Sequence, residues 1–153
     1  MEMITIERTN SDNKDFRWLV QKLDSDLDER DKNAHSICAQ FNNIETIKYA
    51  VIAYNENNAV GCGAIREYSQ DTMEIKRMFV LENNRGNGIA SIILDELESW
   101  AKDLGYKKCI LETGEMLPEA VKLYEKNNYS RIPNYGQYEC LGSSICFAKE
   151  LST

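Results

Sequence analysis

Apolar positions recur with two different periods along the chain, and the change of period separates helical from extended segments. Residues 2–8 alternate weakly between apolar and polar, which predicts an opening strand. After Ser11, which we expect to cap a helix, apolar positions recur every three or four residues, as on one face of an amphipathic helix. That face consists of Phe16, Leu19, Val20, Leu23 and Leu27. A second, shorter helix is predicted over residues 33–42.

From residue 46 onward the pattern becomes that of strands. Three runs rich in β-branched and aromatic residues follow one another: Thr46–Tyr54, Val60–Tyr68 and Glu74–Leu81. Short polar segments over residues 55–58 and 69–72 separate them. Connections of this length join antiparallel neighbours, so we expect a three-stranded meander.

The third of these strands runs into a glycine-rich turn over residues 83–88, and a long helix follows at once. Gly105 is placed to end that helix in a left-handed conformation. The apolar face of the helix consists of Ile89, Ile93, Leu97, Trp100 and Leu104.

The rest of the chain completes the fold prediction. Cys109–Thr113 predicts a strand, Pro118–Lys126 a helix, and Tyr135–Cys140 and Ser144–Leu151 two final strands. The predicted class is α/β (α+β). We expect one domain over residues 1–153, with a mixed, mostly antiparallel central sheet of about six to seven strands and helices on both faces.

Charge narrows the range of partners. The chain of 153 residues carries 18 Lys and Arg against 25 Asp and Glu, a net charge of −7. Phosphate contacts need a basic patch, so we expect no nucleic-acid partner. An anionic ligand has to be held locally, by backbone N–H groups and one or two cations.

The sequence patterns that are absent narrow the expected location and chemistry of the protein. The sequence shows no apolar leader and no apolar run of membrane-spanning length, and its five cysteines form no CxxC pair. These features predict a cytoplasmic protein with reduced thiols and no membrane partner. With His35 as its single histidine, the sequence predicts no metal site and shows no nucleophile motif of the Ser–His–Asp kind.

The glycine-rich turn is the most informative segment. A strand, two glycines (Gly86 and Gly88) and a helix N-terminus together make a cradle for a pyrophosphate, with Arg85 as a nearby cation. A P-loop is excluded because no Lys follows Gly88. A dinucleotide fingerprint survives in part, with Ser91 in place of its third glycine and Glu112 as the acidic residue that would grip a ribose. The third interpretation is the pattern R/Q-x-x-G-x-G/A.

With this pattern the sequence resembles the GNAT superfamily of acetyl-CoA-dependent N-acetyltransferases. Arg85–Ala90 matches the pyrophosphate motif of the superfamily, Glu74–Val80 is similar to the strand before it, and Ala120–Tyr129 is similar to the later helix, A-x-x-L-Y-x-x-x-G-F. Three further blocks resemble a bacterial subgroup of small GNAT proteins: Val60–Ile65, Leu111–Gly114 and Ser144–Lys149. Two departures stand out, Asn128 at the position of the helix-ending glycine and Leu117 in place of a polar residue before the helix.

The resemblance implies where the cofactor binds. The family fold splays the strand that ends near Val80 away from Cys109–Thr113, and the pantetheine of acetyl-CoA pairs with the exposed strand edge. The resemblance places the thioester on the backbone of Met78, Phe79 and Val80, and the pyrophosphate on Arg85, Gly86, Asn87, Gly88, Ile89 and Ala90.

The resemblance also implies a reaction. An acetyl group passes by direct attack from acetyl-CoA to a primary amine of a small molecule or peptide, with no metal, and Tyr124 protonates the departing thiolate. We take Glu74 as a possible base, with Glu67, Glu112 and His35 as alternatives; Tyr135, Tyr138 and Phe41 are candidates for the acceptor pocket. The protein is expected to be a monomer or homodimer. A non-catalytic acyl-CoA-binding module and a dinucleotide-binding oxidoreductase remain alternative functions.

Overall fold

The computed structural model of the chain describes residues 3–30 and 46–151. The described part contains seven β-strands, three α-helices and two short 3₁₀ turns. In chain order the elements are β1 (Ile4–Thr9), α1 (Lys14–Arg30), β2 (Tyr49–Asn55), β3 (Asn58–Ser69), β4 (Thr72–Val80), the 3₁₀ turn Glu82–Asn84, α2 (Ile89–Asp103), β5 (Lys108–Gly114), α3 (Pro118–Lys126), β6 (Ser130–Ile132), the 3₁₀ turn Gly136–Tyr138 and β7 (Ser144–Glu150). The predicted helix over residues 33–42 lies outside the described residues.

All seven strands form one sheet in the order β1-β2-β3-β4-β5-β7-β6. Strands β1 to β4 are antiparallel neighbours, as the predicted meander requires. Strands β4 and β5 are the parallel pair, since α2 carries the chain across one face of the sheet between them. The predicted mixed, mostly antiparallel sheet of six to seven strands is confirmed.

Helices cover both faces of the sheet, as predicted. On one face α1 packs its apolar stripe, including Phe16 and Leu19, against the side chains of β2 and β3. On the other face α2 and α3 pack Ile93, Leu97 and Tyr124 against a larger cluster. Each face of the sheet therefore has its own apolar core.

Helix α2 lies very close to β3. Cβ atoms built on Gly61 and Gly63 would come within 2.9 Å of Ile93 Cδ1 and 2.8 Å of Leu97 Cδ1, respectively. Real Cβ atoms do not approach side-chain atoms this closely. Two glycines in β3 thus leave the space that lets the helix approach the sheet.

The C-terminus of α2 has the predicted left-handed residue. Gly105 has φ +92°. Its N–H donates to the Lys102 carbonyl, and the Tyr106 N–H donates to the Ala101 carbonyl, both at 2.9 Å. This pair of bonds is a Schellman motif, which satisfies the last carbonyls of the helix.

The predicted N-cap of α1 is wrong by two residues. Asn13 caps the helix, because its Oδ1 accepts hydrogen bonds from the N–H groups of Asp15 (2.8 Å) and Phe16 (3.2 Å). The hydroxyl of Ser11 is buried and accepts from the Ile47 N–H at 2.9 Å. Ser11 therefore fastens the start of the helical segment to the chain before β2, a long-range contact that local pattern does not reveal.

The predicted strand Tyr135–Cys140 is also wrong, since the strand before β7 is β6, and residues 136–138 form a 3₁₀ turn. Asn134 explains the difference. Its Nδ2 donates to the carbonyls of Tyr138 (3.2 Å), Leu141 (3.2 Å) and Ser144 (3.1 Å), so this segment coils around one side chain. Within the described residues, no helix is long and apolar enough to cross a membrane.

Candidate active site

A gap opens in the middle of the sheet. Strands β4 and β5 pair only over Thr72–Glu74 and Lys108–Ile110. Both strands continue, β4 to Val80 and β5 to Gly114, without further pairing between them. This is the splay of the two central strands that the family resemblance implied, and it frees the β5-facing edge of β4.

A bulge in β4 redirects that edge. Arg77 has a left-handed φ of +57° in the middle of the strand, and the pairing with β3 shifts register between Cys62 and Ala64. The Cys62 Sγ donates to the Arg77 carbonyl at 3.3 Å. The backbone of Met78, Phe79 and Val80, where we predict the thioester, follows directly after this bulge.

The glycine-rich turn lies at the C-terminal end of β4, beside the gap. Gly86 and Gly88 have φ +83° and +79°, and a Cβ on either residue would meet no atom within 4 Å. The first helical bond runs from the Ile92 N–H to the Gly88 carbonyl, so the N–H groups of the first turn lie ahead of the helical ladder. An open, left-handed turn at a helix N-terminus suits an anion that approaches the backbone closely.

Two side chains brace this turn. Arg85 Nε donates to the Val80 carbonyl at 2.8 Å, its guanidinium lies 5.5 Å from the Phe79 ring centroid, and Nη2 lies 3.8 Å from Asp26 Oδ2 of α1. Asn87 Nδ2 donates to the Asn84 carbonyl at 3.3 Å. Arg85, the cation predicted to contact the phosphates, thus lies against the end of β4 and forms an ion pair with α1.

The predicted general acid, Tyr124, is buried on α3 with 5% of its surface exposed. Its ring packs between Tyr129 and Phe147, with centroid distances of 5.8 and 5.9 Å. Burial, and secondarily the charge of Glu112, raises the pKa of Tyr124 above its ordinary value. The phenol therefore keeps its proton at neutral pH and lies within electrostatic reach of a carboxylate on β5.

The predicted base, Glu74, lies in the last paired row before the gap and is 1% exposed. Both of its oxygens accept hydrogen bonds, Oε1 from Arg66 Nε at 3.3 Å and Oε2 from the Tyr135 hydroxyl at 2.6 Å. Glu74 therefore closes the narrow end of the gap.

Two further charged residues line the gap itself. Lys76 and Glu112 lie two residues beyond the last paired row, on β4 and β5 respectively, on the same face as Glu74. Lys76 Nζ donates to the Tyr138 hydroxyl at 3.1 Å, and burial lowers the pKa of its ammonium. Glu112 Oε2 accepts from the Ser144 hydroxyl at 2.7 Å, and burial raises the pKa of its carboxyl.

Other predicted candidates lie elsewhere. Glu67 is exposed near the end of β3, where its carboxylate accepts from the Tyr106 hydroxyl. His35 and Phe41 lie outside the described residues. Ser144 was missed because its contact with Glu112 depends on the pairing of β5 with β7, and no sequence signal announces it. Among residues 3–30 and 46–151, no group of three or more His, Cys, Asp or Glu side chains is arranged to hold a metal.

The fold and the site together define a class of acyl-transferring proteins, and comparison with known sequences identifies it. The chain belongs to the Acetyltransferase (GNAT) family, whose sequence model matches residues 9–129. The resemblance drawn from Arg85–Ala90 and Ala120–Tyr129 is thereby confirmed.

Named relatives support this membership. The IAA acetyltransferase of Azospirillum brasilense is 30% identical over 142 residues, which cover 90% of this chain and 92% of the relative. The uncharacterized N-acetyltransferase YjgM of Escherichia coli strain K12 is 34% identical over 87 residues, 55% of this chain and 52% of the relative. The second match thus spans about half the length of that relative.

Solved structures agree in fold. A Klebsiella pneumoniae protein assigned to the acyl-CoA N-acyltransferases superposes with a TM-score of 0.83 at 25% identity, over 98% of this chain and 99% of that chain. A GNAT family acetyltransferase from Elizabethkingia anophelis, with acetyl-CoA bound, superposes with a TM-score of 0.69 at 20% identity, over 97% and 98%.

Proposed function

We propose that this protein transfers the acetyl group of acetyl-CoA to a primary amine of a small molecule or peptide. One observation carries the proposal: the gap between β4 and β5 opens directly beside the open glycine turn at the N-terminus of α2. A cofactor with a pyrophosphate at one end and a thioester at the other fits that arrangement. The acetyl-CoA bound in the Elizabethkingia structure supports the choice of cofactor.

The freed edge of β4 provides the cofactor site. Pantetheine pairs with the backbone of Met78, Phe79 and Val80, as an added strand would. An N–H of this edge stabilises the oxyanion that forms on the thioester carbonyl. The pyrophosphate lies on Gly86–Ala90, and Arg85 keeps the turn seated on β4.

The reaction is a direct attack. The amine nitrogen bonds to the acetyl carbon and loses a proton to a carboxylate. The C–S bond breaks, and the sulfur keeps its electron pair and takes the phenolic proton of Tyr124. The base then returns its proton, through solvent, to the phenolate. Burial raises the pKa of Tyr124, so the phenol is protonated at neutral pH and has a proton to donate.

The position of Glu112 supports it as the proton acceptor more than that of Glu74. Glu112 lies on the wall of the gap, whereas Glu74 lies at the closed end with both oxygens occupied. The raised pKa of Glu112 moves it toward the range in which a general base is effective. The acceptor enters from the face of the sheet that holds both carboxylates, next to Tyr135 and Tyr138.

Binding and turnover test the proposal. Calorimetry should show that the protein binds acetyl-CoA and CoA in preference to NAD(H). Release of CoA thiol is then followed with polyamines, amino sugars, free amino acids, peptides with a free N-terminus and, because two similar proteins are named IAA acetyltransferases, IAA. Acetylation of at least one amine is expected.

Each failure has its own meaning. Absence of acetyl-CoA binding at millimolar ligand contradicts the proposal. Binding without turnover favours the non-catalytic acyl-CoA module, and a preference for NAD(H) favours the oxidoreductase. We also propose that the protein is cytoplasmic and works as a monomer or homodimer. Size-exclusion chromatography with light scattering measures the oligomeric state.

A further inference from the structure

The chain turns back on Tyr124 immediately after α3. Asn128 adopts a left-handed φ of +73°, and the Tyr129 N–H donates to the Tyr124 carbonyl at 2.9 Å. The two rings meet edge to face, with an interplanar angle of 67°. Tyr129 therefore forms one wall of the Tyr124 site, and Phe147 forms the wall on the other side.

The hydroxyl end of Tyr129 is fixed by a buried carboxylate on α2. Tyr129 Oη donates to Glu98 Oε2 at 2.9 Å, and Lys149 Nζ of β7 donates to Glu98 Oε1 at 2.8 Å. Glu98 is 8% exposed, and the Lys149 ammonium also lies 5.6 Å from the Tyr129 ring centroid. The ring of Tyr129 is thus tethered at its hydroxyl and covered by a cation.

A second hydrogen bond, nearer the glycine turn, also holds the segment after α3 to α2. Asn127 Nδ2 donates to Ser91 Oγ at 3.1 Å and to the Leu123 carbonyl at 2.8 Å. Ser91 and Glu98 lie two turns apart on one face of α2. The end of α3 is therefore held to α2 at two points, one on each side of Asn128.

We propose that Tyr129, tethered by Glu98, is a positioning residue for the general acid Tyr124. This inference rests on the proposed function, since Tyr124 is the acid only in that function. The helix whose N-terminus receives the phosphates then also sets where the proton donor lies. A donor displaced by about 1 Å can lose a hundredfold in rate, so a wall that holds the ring matters to turnover without touching the substrate.

A double-mutant cycle tests the coupling. Tyr129→Phe keeps the ring and removes its bond to Glu98. In the wild-type background we expect kcat to fall about tenfold, with acetyl-CoA affinity unchanged. In the Tyr124→Phe background the same substitution should change kcat by less than about twofold, because the positioned acid is already gone. The assay uses acetyl-CoA and whichever amine of the acceptor panel turns over fastest.

Matched variants separate positioning from general destabilisation. Tyr106→Phe removes a different tyrosine–glutamate bond, that to Glu67 on the surface, and should leave kcat unchanged. Glu98→Gln keeps an acceptor oxygen for Tyr129 and should retain most of kcat, whereas Glu98→Ala should lose as much as Tyr129→Phe. Equal losses for Tyr129→Phe in both backgrounds would mean a structural role only and would overturn the proposal.

A measurement without turnover keeps the two proposals apart. In protein with ¹³C-labelled tyrosine rings, NMR should show that the Tyr124 ring flips faster in Tyr129→Phe than in wild type, and at the wild-type rate in Tyr106→Phe. An unchanged flip rate in Tyr129→Phe contradicts the positioning role. A wild type that acetylates no amine contradicts the proposed function, and with it Tyr124 as an acid, whatever the ring does.

Discussion

The molecule contains the same three residue types, a tyrosine, a glutamate and a lysine, in two neighbouring places with different hydrogen bonds. In the closed set, Glu98 accepts directly from both Tyr129 and Lys149. In the open set, Glu112 accepts a hydrogen bond from Ser144, and Lys76 donates one to Tyr138. The charge of Glu112 also acts on the pKa of Tyr124 and of Lys76. The closed set lies under α2, and the open set lies around the gap.

The difference shows how one composition serves two purposes. A carboxylate with both oxygens bound inside its own set is held in place and has little capacity left for a ligand. A carboxylate with one neutral hydroxyl partner, at the wall of a gap, keeps capacity to accept a proton. Composition alone does not distinguish the two sets, but hydrogen-bond partners do.

The largest effect is expected from removing the phenol of the open set. Tyr124→Phe should lower kcat by a hundredfold or more, as loss of a positioned general acid does, with the dissociation constant for acetyl-CoA unchanged. Stopped-flow or steady-state release of CoA thiol measures the first quantity and calorimetry the second. Turnover at the wild-type rate would remove Tyr124 from the mechanism and make the two sets equivalent.

The next effect, on stability, belongs to the closed set. Lys149→Met leaves Glu98 buried with one neutral partner, and we expect a loss of about 2–3 kcal/mol in the free energy of unfolding, measured in urea. The double variant Glu98→Gln/Lys149→Met removes both charges, keeps an acceptor for Tyr129 and should recover most of the loss. A double variant as unstable as Lys149→Met would contradict the charge argument.

A smaller effect, on cofactor affinity, tests whether the N-terminus of α2, the helix that carries Glu98, also binds acetyl-CoA. Gly88→Ala introduces a residue with a Cβ at φ +79° and should cost about 1 kcal/mol of stability. Gly105→Ala, at φ +92° beyond the other end of α2, is the matched control. Both should lower the melting temperature alike, but only Gly88→Ala should weaken acetyl-CoA binding. Equal affinities would argue against a phosphate site at the glycine turn.

The smallest effect is a pH dependence of stability in the open set. Burial raises the pKa of Glu112 in the folded protein, so its favourable contribution is present below the unfolded value of about 4.3 and is lost as pH rises through the folded pKa. Glu112→Gln should therefore melt at a higher temperature than wild type at pH 7 and show no such advantage near pH 4.

Ser144→Ala gives the complementary measurement. The Ser144 hydroxyl favours the ionised carboxylate, so its loss should lower the melting temperature at pH 7 more than at pH 4. A Glu112→Gln protein that is less stable than wild type at pH 7 would place Glu112 with Glu98 among the structural carboxylates.

Features that depend on neighbours in sequence were predictable. Gly105 ends α2, and Asn128 takes the left-handed conformation expected of the helix-ending glycine it replaces, because both are local backbone requirements. The splay of β4 from β5 was available through the family motif of Arg85–Ala90. The glycine turn lies where the motif places it.

Features that depend on contacts between distant parts of the chain were not predictable from the sequence. The coil around Asn134 takes the place of the predicted strand, since one amide satisfies three carbonyls that a strand would otherwise pair. The ion pair between Arg85 and Asp26 of α1 joins two segments that no local pattern links. The partner of Glu112 depends on the register of β5 with β7.

The two glycines of β3 that admit α2 have a consequence for the cofactor. Gly61 and Gly63 set how far α2 lies from the sheet, and thereby how far the glycine turn lies from the gap. In the proposed function those two places hold the pyrophosphate end and the thioester end of one pantetheine arm of fixed covalent length. The absence of side chains at two positions of β3, the strand that pairs with Phe79 and Val80, therefore helps to set the distance that the acyl carrier has to span.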